Sequence, residues 1–173
     1  MIGIKGGKDE SLGETILAPV DFSEISDAVV AEAASLARAL GGRVVLLSVV
    51  QPPVVLGEYA PLMENIAEIN AAGEKSASRR LAKLEDKLRA SSIEVASDYV
   101  VGSPISLIVD QAEKHGADYI VMGSHGHTAF YDLLVGSTTH GVLMRAKCPV
   151  IILPAKDLKS AKAKKARGRR SLG

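Results

Sequence analysis

Hydrophobic positions along this chain switch repeatedly between strand-like runs and helical spacing. Ile16-Leu17-Ala18-Pro19-Val20 is a short apolar run that ends at Asp21. Val44-Val45-Leu46-Leu47 with Val49-Val50 is a second, apolar on both faces, as a strand covered by helices on both sides must be. Ile93 to Val100 alternates loosely, and Tyr119–Met122 and Pro149–Leu153 complete five strand candidates. Between them the period becomes helical. Ile25, Val29, Ala33, Leu36 and Leu40 mark the core stripe of a helix from Glu24 to Leu40, with Ser23 placed to cap it and Gly41 to end it. Ile66, Ile69, Ala77, Leu81, Leu84 and Leu88 do the same for a helix from about Asn65 to Ala90. Ser103 as cap and Pro104 at the first helical position open a third helix, which carries Ile105, Ile108, Val109 and Ala112 and stops near Gly116. Ser137 to Ala146 is a short fourth helix.

Five strands alternating with four helices predict an α/β fold: a doubly wound, five-stranded, mainly parallel sheet with helices on both faces. No internal repeat is present. In such sheets a ligand sits outside the carboxyl ends of the strands, where the winding reverses. With the first strand in mid-sheet, that crevice lies between strands one and four. Asp21 then meets the loop after Met122, about 100 residues away in sequence.

Charge divides the chain further. Lys and Arg total 21 and Asp and Glu 20, but eight of the basic residues and one acid fall from Lys156 onward. Residues 1–155 keep 13 basic and 19 acidic residues, so the body is acidic and the tail basic. The expected organisation is a flexible leader over 1–13, a domain over 14–155, and a basic disordered tail over 156–173, with too few apolar residues to offset its ordering entropy. The tail suits an acidic partner, nucleic acid or membrane surface, or serves only to solubilise an acidic body. It holds no aromatic residue for base stacking. Hydrophobic residues make up 47% of the chain, which excludes general disorder. No apolar run approaches the roughly 20 residues of a membrane span, and no signal-peptide pattern is visible. The single cysteine, Cys148, forms no internal disulfide and fits a reducing compartment, so a cytoplasmic location is expected.

The richest chemistry lies in the loop from Gly123 to Thr138. Gly123 and Gly126 allow backbone N–H groups to converge on an anion. Gly136-Ser137-Thr138 opens the next helix, whose first N–H groups and dipole favour negative charge. A glycine-rich turn followed by an ordinary serine cap would give the same letters. The GxxxxGK[ST], GxGxxG and GxSxG patterns are absent. His125 and His127 lack the further ligands of a structural metal site. Ser124-His125-Gly126-His127 is similar to the (T/H)xGH motif of nucleotidylyltransferases, but that motif follows the first strand, and this one follows the fourth. Cys148 reads as packed and inert unless the adjacent Lys147 reaches it. Residues 51–64, with Tyr59, form a surface loop or a lid, and Phe130-Tyr131 with Leu133-Leu134 packs the long turn down.

The spacing Gly123-x2-Gly126-x9-Gly136-Ser137 resembles the G-2x-G-9x-G-(S/T) motif of the ATP-binding universal stress proteins. Pro19-Val20-Asp21-Phe22-Ser23, Leu46-Leu47-Ser48-Val49, Gly102-Ser103-Pro104, Ala117 to Gly126 and Cys148-Pro149-Val150 resemble further segments of that family. The likeness runs from about Glu14 to Ala155 and implies an adenine nucleotide alpha hydrolase-like fold. It further implies ATP, AMP or ADP as ligand. Pro19, Val20 and Asp21 then lie near ribose and phosphates, Val49 at adenine, Met122 and Gly123 on the ribose and phosphate side, and Gly126, Gly136, Ser137, Thr138 and Thr139 at the phosphates. A Mg²⁺ or Mn²⁺ ion on the phosphates would take Asp21 as its carboxylate. The implied assembly is a homodimer through Pro149–Leu153, and the implied role is nucleotide-dependent stress regulation, with at most slow ATP hydrolysis and no catalytic residue. An adaptor working through the basic tail is the alternative. The sequence departs from the family at His140-Gly141, where charge is usual, and Gly141 weakens its helix by roughly 1 kcal/mol against alanine.

Overall fold

The computed structural model describes residues 13–51, 66–124 and 135–154. The elements run β1 (Thr15–Pro19), α1 (Ser26–Leu40), β2 (Arg43–Val50), α2 (Ile66–Arg89), β3 (Glu94–Val101), α3 (Pro104–Lys114), β4 (Tyr119–Gly123), α4 (Ser137–Leu143) and β5 (Val150–Leu153). The strands form one five-stranded sheet in the order β3-β2-β1-β4-β5. Every pairing is parallel, with Leu17 beside Val45 on one side and Ile120 on the other. The doubly wound sheet expected from the sequence is thus present, with β1 at its centre.

Strand alternation sorts the core into two layers. Ile16, Ala18, Val20, Val44, Leu46 and Val121 face α1 and α2. Leu17, Val45, Leu47, Ile120 and Met122 face α3 and α4. Ile16, Leu17 and Ala18 are wholly buried, which is why the central strand is apolar at all three of these successive positions. Among the described residues no helix is long and apolar enough to cross a membrane. The leader, the basic tail, residues 52–65, the side chains of Ile66 and Ile69, and the loop residues 125–134 lie outside the described residues.

The structure corrects several expectations in detail. α1 begins at Ser26, not Glu24, and Ser23 does not cap it. Phe22 has φ +61°, and the Ser23 hydroxyl donates back to Asp21 Oδ1 at 2.6 Å, so the chain completes a turn before the helix starts. The expected stripe is buried at Ile25, Val29 and Ala33, with Leu36 half-buried, and the buried face also takes in Ser26, Val30, Ala34 and Ala37. Leu40, expected in the stripe, is instead 39% exposed in the last turn. Gly41 ends the helix in the left-handed region as expected, with φ +63°. α4 stops at Leu143 instead of Ala146, because Arg145 N–H bonds Val142 O in a tighter turn. Ser103 precedes Pro104 in extended conformation but makes no side-chain cap bond.

Asp98 of β3 is tied to the end of α3. Its Oδ2 receives His115 Nε2 at 2.7 Å and Lys114 Nζ at 3.1 Å. Burial pushes the Asp98 carboxyl up, but the hydrogen bonds from His115 and Lys114 outweigh it and leave the pKa below the ordinary carboxylate value. A group depressed in the folded state adds stability above its unfolded pKa of about 3.9 and loses it as pH falls through the folded value. Asp98→Asn is therefore expected to be less stable than the parent at pH 6. The gap should close in acid, below about pH 4, when urea midpoints are measured across that range.

Candidate functional site

The β1 and β4 carboxyl ends, side by side in mid-sheet, open into a cleft of about 340 Å³. That is within the usual range for a small-molecule pocket, roughly 300–1,000 Å³. Pro19, Val20, Asp21, Val49, Met122, Gly123, Gly136, Ser137, Thr138 and Thr139 all line it. These are ten of the eleven residues singled out from the sequence, and the eleventh, Gly126, lies outside the described residues. They come from four separate stretches of chain, which the winding reversal brings together.

The loop after β1 forms one wall. Val20 N–H bonds Leu47 O at 2.8 Å, which extends the sheet by one residue and fixes where the chain leaves it. Asp21 Oδ1 then accepts Ser23 N–H at 3.0 Å, the Ser23 hydroxyl at 2.6 Å and the Ser26 hydroxyl at 3.1 Å. Three donors on one oxygen orient the carboxylate. Among the described residues no group of three metal-ligating side chains exists.

The opposite wall is the return of the long loop. Ser124 N–H bonds Leu153 O at 2.8 Å, so β4 still pairs beyond its last strand residue. Gly136 N–H donates to Ser124 O at 2.7 Å, and the Thr139 hydroxyl donates to Gly123 O at 2.8 Å. These two bonds close the base of the loop. Thr139 is buried and spends its hydroxyl proton on this brace. The cap of α4 is Gly136, which has no side chain, so the serine cap weighed from the sequence is not formed. Ser137 stands exposed in the first turn, and Thr138 is half-buried.

Gly123 has a second duty. A Cβ built there would lie 2.6 Å from Ile25 Cγ2, so the glycine lets β4 end against the start of α1. Gly141 behaves likewise. Its Cβ would meet Ile105 Cδ1 at 2.5 Å and Cγ1 at 2.9 Å, so α4 rests directly on α3. Gly141 is thus a close-packing point between two helices.

Sequence reasoning missed Gln51, Ser26, Pro104 and Ile108, which also line the cleft. Gln51 is the first residue beyond β2, so the carboxyl-end rule would have found it. Pro104 and Ile108 enter because α3 shares its face of the sheet with α4, a fact of topology rather than of motif. Cys148 is not part of the site. Burial, then the charge of Asp118, push its thiol up, and Lys147 pairs with Glu113 at 2.8 Å instead. His125, His127, Tyr59, Phe130, Tyr131, Leu133 and Leu134 lie outside the described residues.

The model of the universal stress protein family matches residues 13–154. The chain belongs to the universal stress protein family. Universal stress protein MJ0577 of Methanocaldococcus jannaschii is 28% identical over 154 residues, covering 82% of this chain and 95% of the relative. Its solved structure superposes with a TM-score of 0.72 over the same shares. A universal stress protein solved in complex with cAMP is 24% identical, covers 83% of this chain and 98% of its own, and has a TM-score of 0.57. One from Archaeoglobus fulgidus, solved in complex with dAMP, is 24% identical at 80% and 95% coverage, with a TM-score of 0.55. The last two share the fold.

Helix propensity and packing oppose each other at Gly141. Alanine there would favour α4 by about 1 kcal/mol, but overpacking against Ile105 costs roughly 1–3 kcal/mol. Gly141→Ala is expected to lower the urea midpoint, whereas Gly141→Ala combined with Ile105→Val should recover part of the loss.

Proposed function

We propose that this universal stress protein binds an adenine nucleotide, ATP foremost, in the cleft between β1 and β4. The observation that carries this reading is the convergence of the ten sequence-chosen residues on one pocket of about 340 Å³. The pocket's chemistry is supportive. Val49, Leu47 and Met122 offer an apolar seat for a base, while Gly136, Ser137 and Thr138 line the cleft at the start of α4. α4 opens onto the cleft without a side-chain cap, so its first N–H groups are open to phosphate oxygens. Two family members of the same fold were solved in complex with cAMP and with dAMP, which supports an adenine nucleotide as the ligand in this reading. Mg²⁺ or Mn²⁺ would neutralise phosphate charge, held by the phosphates with Asp21 as the protein carboxylate.

In this reading the bound state is the signal of a cytoplasmic stress regulator, and no residue is assigned a catalytic step. Chromatography of nucleotide released from the native protein on denaturation tests it: about one adenine nucleotide per chain is expected. Gly136→Val, which puts a branched side chain on the cleft lining, and Gly126→Val, the other glycine of the motif, should each abolish the rise in melting temperature that millimolar ATP with Mg²⁺ gives the parent. Unchanged ATP stabilisation in both variants would refute the site.

The working unit in this proposal is a homodimer paired through the β5 edge. Val150 to Leu153 are apolar and half-buried, and β4 is their one neighbouring strand among the described residues. Pro149 and Leu153 direct their carbonyls to β4, so by the two-residue period Val150 and Ile152 turn their main-chain groups outward. Ile152→Pro removes an outward N–H and leaves the bonds to β4 intact. Light scattering should then give a folded monomer where the parent gives a dimer.

A further inference from the structure

The loop that carries Asp21 is gripped from outside the cleft by a residue absent from its lining. Phe22, directly after Asp21, has φ +61°, a conformation that L side chains avoid and that a large aromatic residue adopts only when its surroundings impose it. Phe22 packs against the core layer under α1 and α2, and two contacts from Arg80 of α2 hold it from the outside. The guanidinium carbon lies 4.3 Å from the centroid of the Phe22 ring, and Nη2 donates to the Phe22 carbonyl oxygen at 3.1 Å. A flat guanidinium can cover the ring and hydrogen-bond the main chain of the same residue; a lysine ammonium has neither the plane nor the fork.

The bonds around Phe22 show what this grip controls. On one side is Asp21, whose Oδ1 gathers the Ser23 amide, the Ser23 hydroxyl and the Ser26 hydroxyl. Those bonds fix the carboxylate relative to the start of α1. They can close only if the chain reverses at Phe22, because Ser23 must turn back toward Asp21. Arg80 holds that reversal and belongs to a helix that otherwise packs on the sheet through Ala77, Leu81 and Leu88.

We infer that Arg80 is a positioning residue for the nucleotide site: by holding Phe22 in its left-handed conformation it sets the Asp21 carboxylate in the cleft. It thereby couples occupancy of the cleft to α2. The inference rests on the nucleotide reading above for its functional half. Linkage makes the coupling reciprocal, so a ligand that fixes the Asp21 loop also steadies α2 around Arg80.

The test uses the full chain and a double-mutant cycle. Affinity for ATP with Mg²⁺ is measured by calorimetry for the parent, Arg80→Ala, Arg80→Lys, Phe22→Gly, and Arg80→Ala with Phe22→Gly. Backbone amide exchange of Ser23 and Ser26 is followed by NMR without nucleotide. Arg80→Ala is expected to weaken ATP about five- to tenfold, the scale of an exposed cation–π contact plus one hydrogen bond. Arg80→Lys should fall nearly as far. In the Phe22→Gly background, where glycine takes positive φ without strain, Arg80→Ala should cost almost nothing more. Without nucleotide, Arg80→Ala should speed Ser23 exchange by a similar factor.

Equal ATP affinity in parent and Arg80→Ala would overturn the inference. So would an equal loss with and without Phe22→Gly, since Arg80 would then act through charge or through α2 stability. If the parent binds no adenine nucleotide, the nucleotide reading fails and the functional half of the inference fails with it. Ser23 exchange still decides the grip itself, which unchanged exchange in Arg80→Ala would overturn.

Discussion

A parallel strand cannot be joined to its neighbour by a tight turn; the chain must leave the sheet, cross a face and return at the same end. β1 has a parallel neighbour on each side, and this places heavy demands on the rest of the molecule. The chain first winds outward, through β2 to β3, and then jumps back across to β4 and on to β5. Because such crossovers keep one hand, reversing the direction of winding moves the later helices to the other face. α1 and α2 therefore cover one side of the sheet, and α3 and α4 the other. Where the two windings part, the loops after β1 and β4 diverge, and the cleft is the space left between them.

That geometry explains how much of the fold was legible. A buried parallel sheet needs continuous apolar runs and amphipathic crossovers, and both are written plainly in residues 15–153. The site was legible for a different reason. Gly123, Gly136 and Asp21 stand at strand ends and helix starts, where the carboxyl-end rule looks for ligands. What stayed hidden depended on the third dimension. Nothing in the letters around Leu40 says that the buried face of α1, which holds Val29 and Ala33 as expected, widens to Val30 and Ala37 and leaves Leu40 outside. Ser23 is a good cap by composition, yet its hydroxyl is drawn to Asp21 by the turn at Phe22. Gly141 looked like a weak spot in a helix because propensity is local and Ile105 is far away in sequence.

Polar residues around the cleft divide by what their atoms already do. Thr139 and Ser26 are buried, and their hydroxyls bond to Gly123 O and Asp21 Oδ1. They give shape, and changing either would alter the cleft without removing a surface group. Ser137 and Thr138 are more open to solvent and line the cleft. A motif written as Gly-Ser-Thr-Thr thus mixes two kinds of residue that only burial and hydrogen bonding separate.

The contact between Gly141 and Ile105 bears on how this cleft can change shape. Close-packed elements move together, because sliding them would open gaps that cost contact on every atom. α3 and α4, locked at that point, both border the cleft, α3 through Pro104 and Ile108 and α4 through Ser137. They form a single stiff jaw. The facing jaw is a short loop held by hydrogen bonds and one exposed arginine. Of these two sides the Asp21 loop is held mainly by hydrogen bonds and not by close helix packing, so a small adjustment of the cleft costs less there than at the α3–α4 face.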